Sequence, residues 1–204
     1  MMISTKIKLT KADRTKQYII ESMSDVFNKK GYSGTSITDI EATTGLSRGA
    51  IYGNFASKEE IALAVFDFNF AKTRSAVDKM MERERSFHAK IMVLVNVHKS
   101  VNDNPLFTAC GSLLYNSPDT DEISVLMKDR AISAVLRKEK TVADLIQMGM
   151  KSGEFRKETD PKQVAIAIIS LLEGGLMIWR KSGDSIRMSQ VIASIEALME
   201  SIAN

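Results

Sequence analysis

The chain has 204 residues, 44% hydrophobic and 26% charged, with a formal net charge of +3, an ordinary globular composition. One cysteine, Cys110, excludes an internal disulfide framework and suits a reducing cytoplasm. No N-terminal signal pattern and no run of roughly 20 apolar residues stands out, so a soluble intracellular chain without a membrane span is expected.

The whole chain reads as helices, with only three prolines to interrupt them. Thr10 caps a first helix, with Asp13 in its first turn where the helix dipole favours an anion. Ile19, Met23, Val26 and Phe27 share one face of it. Lys29, Lys30 and Gly31 close it with dipole-favoured cations and a permissive C-cap. Thr35 and Ser36 offer caps for a short second helix, Asp39 completes a box after Ser36, and Ile37 and Ile40 face inward. Gly45 supplies a turn, and Ser47 caps a third short helix to about Phe55. Ser57 and Glu60 form an S-x-x-E capping box ahead of a long helix with Ile61, Val65 and Phe68 on one stripe.

A helix over about 87–101 follows, broken at Asn102–Pro105, and a weaker helical pattern runs to Pro118. From about Asp121 to Ser152 a long amphipathic helix carries Ile123, Leu126, Met127, Arg130 and Leu145, and Gly153 stops it. Asp160 caps and Pro161 begins a strongly apolar helix over about 161–181. A last helix over about 186–203 carries Val191, Ile195, Leu198 and Ile202.

Charge is unevenly placed. Residues 1–58 hold nine Lys and Arg against five Asp and Glu, and residues 59–204 nineteen against twenty. A polyanionic partner is expected at the basic end. There, two short capped helices joined by a glycine turn make the helix-turn-helix pattern, whose second helix lies in the DNA major groove. Spacing alone also fits a helical corner in an all-α core, but the basic bias and an exposed-looking Ser47-Arg48-Gly49 favour DNA. Arg48 has the fork geometry for guanine or phosphate, and Gly49 lets the helix approach the duplex closely. Tyr52, at i+4 from Arg48, shares its face. Asn54, Lys58, Ser36, Thr35 and Thr38 complete the candidate DNA-binding set.

The stretch "TSITDIEATTGLSRGAIYGNFASKEEIALAVF" resembles the DNA-binding domain of TetR-family (tetracycline-repressor-like) transcriptional regulators, over about residues 13–68. The match includes "FNKKGYSGTS", Asp39-Ile40, Gly45-Leu46-Ser47, Ile51-Tyr52, Phe55 and Ser57-Lys58-Glu59-Glu60. "GEFRKETDPKQVAIAIISLLEGG" resembles the family's second domain. The resemblance implies an all-α chain. A helix-turn-helix domain at 1–58 precedes a ligand-binding and dimerisation domain at 59–204, and the chain represses from a palindromic double-stranded operator as a homodimer. One departure is Gly53-Asn54, where the family often carries an aromatic or a histidine; Gly53 loosens that helix end by about 1 kcal/mol relative to alanine.

For dimerisation, Ile168, Leu172, Gly175 and Trp179 are expected to join Val191, Ile195 and Leu198. For the effector pocket the candidates are Phe87, Met92, Val95, Leu113, Tyr115, Leu126 and Met127, walls that favour a hydrophobic or planar small molecule. Cys110 offers an alternative, a redox-responsive thiol. A further alternative is a DNA-binding protein of the same fold without an effector. His88 and His98 lie ten apart without a cysteine cluster, so no metal site and no cofactor is expected. Nor does any nucleophile–base pair, phosphate loop or di-iron repeat suggest an enzyme.

Overall fold

The computed structural model describes residues 10–98, 125–183 and 185–204, without the side chains of Arg180 and Ser185. Their helices are α1 (Lys11–Lys30), α2 (Ile37–Thr44), α3 (Arg48–Tyr52), α4 (Lys58–Met81), α5 (Phe87–Asn96), α6 (Val125–Ser152), α7 (Pro161–Ser182) and α8 (Ser185–Ser201).

Local chemistry starts most of these elements. Thr10 accepts from the Asp13 N–H while the Asp13 carboxylate accepts from the Thr10 N–H, a complete capping box. Ser36 and Asp39 repeat it at α2. At α4 only half of the expected box forms: Ser57 accepts from the Glu60 N–H, but the Glu60 carboxylate reaches one residue further back, to the Ala56 N–H at 2.6 Å. Helix α5 is capped from a distance as well as by Ser86. The Glu154 carboxylate accepts from the Phe87 and His88 N–H groups at 2.8 and 2.6 Å, so two otherwise unpaired first-turn donors are satisfied.

Two cores result. The N-terminal one gathers Ile19, Met23 and Phe27 of α1, Ile40, Ile51 and Phe55, and the first turns of α4. On α4 the buried face is Ile61, Ala62, Val65 and Phe66, with Asn69 beyond it, and the expected Phe68 is only half-buried. Asn69 is 3% exposed. It accepts from the Ser24 hydroxyl at 2.6 Å and donates to Asn28 Oδ1, a polar staple between α1 and α4. The expected boundary at 58/59 therefore falls at the start of a helix whose first turns complete the N-terminal core.

The second core joins α5, α6, α7 and α8. Phe155 lies fully buried beneath Gly149, where an added Cβ would stand 2.3 Å from the ring. The two cores meet through α6: Met127 and Ala134 are buried in the N-terminal cluster, Arg130 pairs with Asp67, and the Arg137 guanidinium lies 4.7 Å from the Phe70 ring centroid.

Helix α5 ends at Asn96 rather than near 101, and α6 is described from Val125. The helical pattern ending at Pro118, with Cys110, Leu113 and Tyr115, and Ile123 beyond it, lies outside the described residues. One expectation needs correction. Among the described residues, Pro161–Trp179 is long and apolar enough to cross a membrane by length and hydropathy. One face of it, through Ile168, Leu172 and Leu176, instead fills the second core.

Candidate nucleic-acid interface and ligand cavity

The turn between α2 and α3 is held on every side. Gly45 adopts φ 68°, ψ 10°, the left-handed conformation that a side chain disfavours. Its N–H closes α2 on the Glu41 carbonyl at 2.9 Å. The buried Thr44 hydroxyl donates to Ile40 O and accepts from the Leu46 N–H. The Tyr18 hydroxyl donates to Thr44 O at 3.0 Å. Ile40 and Ile51, both fully buried, then press α2 and α3 onto α1 and α4.

That packing leaves a defined outer surface. Thr38, Ser47, Arg48 and Gly49 are exposed, and Tyr52 keeps 43% of its surface in solvent. Arg48 reaches Glu41 at 3.6 Å across the turn. An added Cβ at Gly49 would meet nothing within 4 Å, so the fold itself does not demand glycine there. Ser47 accepts from the Ala50 N–H and remains at the surface.

Four expected contacts are used differently. Thr35 is fully buried, and its hydroxyl donates to Gly31 O at 2.7 Å; it braces the α1–α2 loop and leaves the surface set. Lys58 donates to Tyr32 O and Thr35 O at 3.1 and 3.0 Å. Its ammonium lies 4.1 Å from the Tyr32 ring centroid, so it clamps the same loop to α4. Asn54 turns its amide back to Ala50 O at 2.8 Å. Ser36 stays exposed, but its hydroxyl is engaged with Asp39.

Helix α3 is shorter than expected, ending at Tyr52. Gly53, in ordinary helical conformation, caps it by donating to Gly49 O. The Lys30 ammonium, 2.6 Å from Asp39, together with the Ser36 N–H and hydroxyl, holds the Asp39 carboxyl well below the usual carboxylate range. Tyr18, absent from the sequence-derived set, ties the turn to α1. Its exposure of 47% beside a buried Thr44 has no signature in local spacing.

In the second domain a cavity of about 330 Å³ opens between α4, α5, α6 and α7, at the small end of ligand pockets. None of the expected pocket residues among those described lines it. Met92 and Val95 are buried in the second core, and Phe87 packs against it. Met127 sits in the N-terminal core, and Leu126 is exposed. Leu94, on the adjacent face of α5, and Val97 and His98 just beyond its end meet the cavity instead. Among the described residues no cluster of three or more His, Cys, Asp or Glu side chains gathers.

The expected dimer residues are likewise brought together, but within one chain. Ile168, Leu172 and Ile195 are buried, Gly175 faces Val191, and Trp179, Val191 and Leu198 pack against the same core. The opposite side of α7 exposes Ile166, Leu171, Met177 and Ile178, with Gly174 open beside them. Both sides of α7 are apolar, and periodicity could not say which one the chain buries.

Comparison with known proteins places this arrangement. Residues 19–65 match "Bacterial regulatory proteins, tetR family" and residues 88–195 match "Tetracyclin repressor-like, C-terminal domain". The solved structure of a TetR-family transcriptional regulator from Cytophaga hutchinsonii is 34% identical. It covers 97% of this chain and 98% of that one, with a TM-score of 0.85. The HTH-type transcriptional regulator TtgR of Pseudomonas putida is 25% identical over 179 residues, 86% of this chain and 84% of that one. The HTH-type transcriptional repressor DhaR of a Mycobacterium species is 22% identical over 191 residues, 93% and 94% of the two chains.

Proposed function

This chain belongs to the TetR family of bacterial regulatory proteins and is a DNA-binding transcriptional regulator; from that premise we propose a homodimeric repressor released by a small-molecule effector. The observation that carries the DNA contact is the exposed Arg48-Gly49 pair with Tyr52, presented on a helix whose other face is locked by Ile51. Arg48 reads a base edge or grips a phosphate, Gly49 admits the backbone, and Tyr52 and Thr38 flank them.

Two copies would present two such helices to half-sites about 34 Å apart, or a multiple of it. The exposed stripe Ile166, Leu171, Met177 and Ile178 on α7 supports the dimer, and α8 also exposes Ile186. Gly174 between them leaves room for a close helix approach. The repressor sense follows DhaR, a transcriptional repressor among the relatives.

An effector is favoured over the effector-less reading by the cavity itself. Its α6 wall, including Ala131 and Ala134, is the helix whose Met127 and Ala134 enter the N-terminal core. A ligand there shifts DNA affinity only as far as it prefers one arrangement of α6 against α4. The testing experiment is selection of bound duplexes from a random-sequence pool, followed by footprinting. A short palindromic footprint is the expected result; diffuse coverage contradicts specific operator binding.

A further inference from the structure

We propose that the cavity takes a compact apolar acid, a ligand with an apolar body and one anionic head, and that Lys138 and Arg137 receive the head. This rests on the reading of the cavity as the effector site and adds the chemical class of its occupant.

The cavity wall is mainly apolar, with Leu94, Val135, Ile169, Leu172 and Leu176. Three cations line it, Arg74 of α4 and the neighbouring Arg137 and Lys138 of α6. Lys138 donates to Glu173 Oε1 at 2.9 Å, and its side chain is only 27% exposed. That is its one hydrogen bond to the described residues, and an ammonium carries three donors. Arg137 rests its guanidinium against the Phe70 ring at 4.7 Å. It is exposed at the cavity mouth, so its five donors face solvent and are open to a ligand's head.

Both acidic groups of the wall are paired. Glu173 holds Lys138 and a further interaction. Asp78 faces Arg74 at 3.6 Å in a solvent-exposed pair. Three cations, Arg74, Arg137 and Lys138, thus line the cavity against two carboxylates, Asp78 and Glu173, and an anionic head meets the excess positive charge with charge-assisted hydrogen bonds. A cationic head would have to compete with Lys138 for Glu173 beside the Arg137 charge. A neutral head would use fewer of the donors.

The test is calorimetric titration of the full-length chain with two bodies, n-octyl and 4-phenylbutyl, each as acid, alcohol and amine. For at least one body the acid is expected to bind about tenfold tighter than its alcohol, and the amine weakest. Lys138→Met is expected to lower the preference of acid over alcohol several-fold, Arg137 still meeting the head, while leaving alcohol binding in place. Because that change strands Glu173, the double variant Lys138→Met/Glu173→Gln is titrated beside it, with the same expectation.

An amine binding as tightly as the acid overturns the proposal, as does an acid preference that is undiminished in both variants. If no compound binds while the chain still selects DNA, the ligand inference falls and the regulator reading stands. Acid binding by a chain that selects no DNA supports the ligand inference and overturns the operator reading.

Discussion

Tyr18 and Thr44 lie 26 residues apart, and the Tyr18 hydroxyl donates to the Thr44 carbonyl at 3.0 Å. The contact ties the middle of α1 to the last residue of α2, one step before the glycine that turns the chain into α3. Tyr18→Phe keeps the ring and removes the bond. It is expected to lower the stability of the N-terminal unit by about 0.5–1.5 kcal/mol, measured by urea unfolding. Faster hydrogen exchange should be confined to the amides around Thr44–Ser47.

Arg48→Ala tests the contact without disturbing the fold. The residue is exposed, and its pairing with Glu41 at 3.6 Å contributes at most about 1 kcal/mol. Thermal melting should hardly move. Affinity for a selected operator should fall about tenfold to a hundredfold, as expected for losing one well-placed arginine contact worth about 1–3 kcal/mol. A gel-shift titration against the selected duplex and a scrambled one reads the difference.

Gly49→Ala separates the needs of the fold from those of the groove. A Cβ there meets no protein atom within 4 Å, and alanine favours helix over glycine by up to about 1 kcal/mol. The variant should melt at the same or a slightly higher temperature than the parent while binding the operator more weakly. Unchanged operator affinity would show that α3 does not approach the duplex at this point.

Acid should loosen the N-terminal unit. The Lys30 ammonium and the Ser36 donors depress the Asp39 carboxyl, so its contribution is fully present above the unfolded value near 3.9. That contribution is lost as pH falls below it toward the folded value. Asp13 acts in the same direction, held mainly by Thr10. Asp39→Asn is expected to be less stable than the parent at pH 7, and the two melting curves should converge as pH is lowered from about 4 to about 2.

The local chemistry of this chain was legible and its long-range chemistry was not. Thr10–Asp13, Ser36–Asp39, Gly45 and Asp160–Pro161 announce their elements because each partner lies within three or four residues. Thr35 and Lys58 carry the right donors for DNA, but spacing cannot reveal that Gly31 O and Tyr32 O already accept from them. The same limit explains α5 and α7. Each has apolar residues on two faces, and only packing decides that Met92 and Ile168 go inward while Leu94 lines the cavity and Ile166 stays outside.

The exposed face of α7 gives the dimer its test. Leu171→Glu and Ile178→Glu change side chains that are 38% and 40% exposed, so each monomer should fold as before. Sedimentation at micromolar concentration should show the parent as a dimer and the double variant as a monomer. A monomeric parent would reject the dimer.

The most direct measurement of the central claim is selection from random duplexes, run in parallel with the parent and Arg48→Ala. The parent should enrich a palindrome whose half-site centres lie about one helical turn apart or a multiple of it, and the variant should lose that enrichment while remaining folded. Enrichment of the same sequence by both proteins, or of no sequence by the parent, would contradict the assignment of α3 as the reading helix.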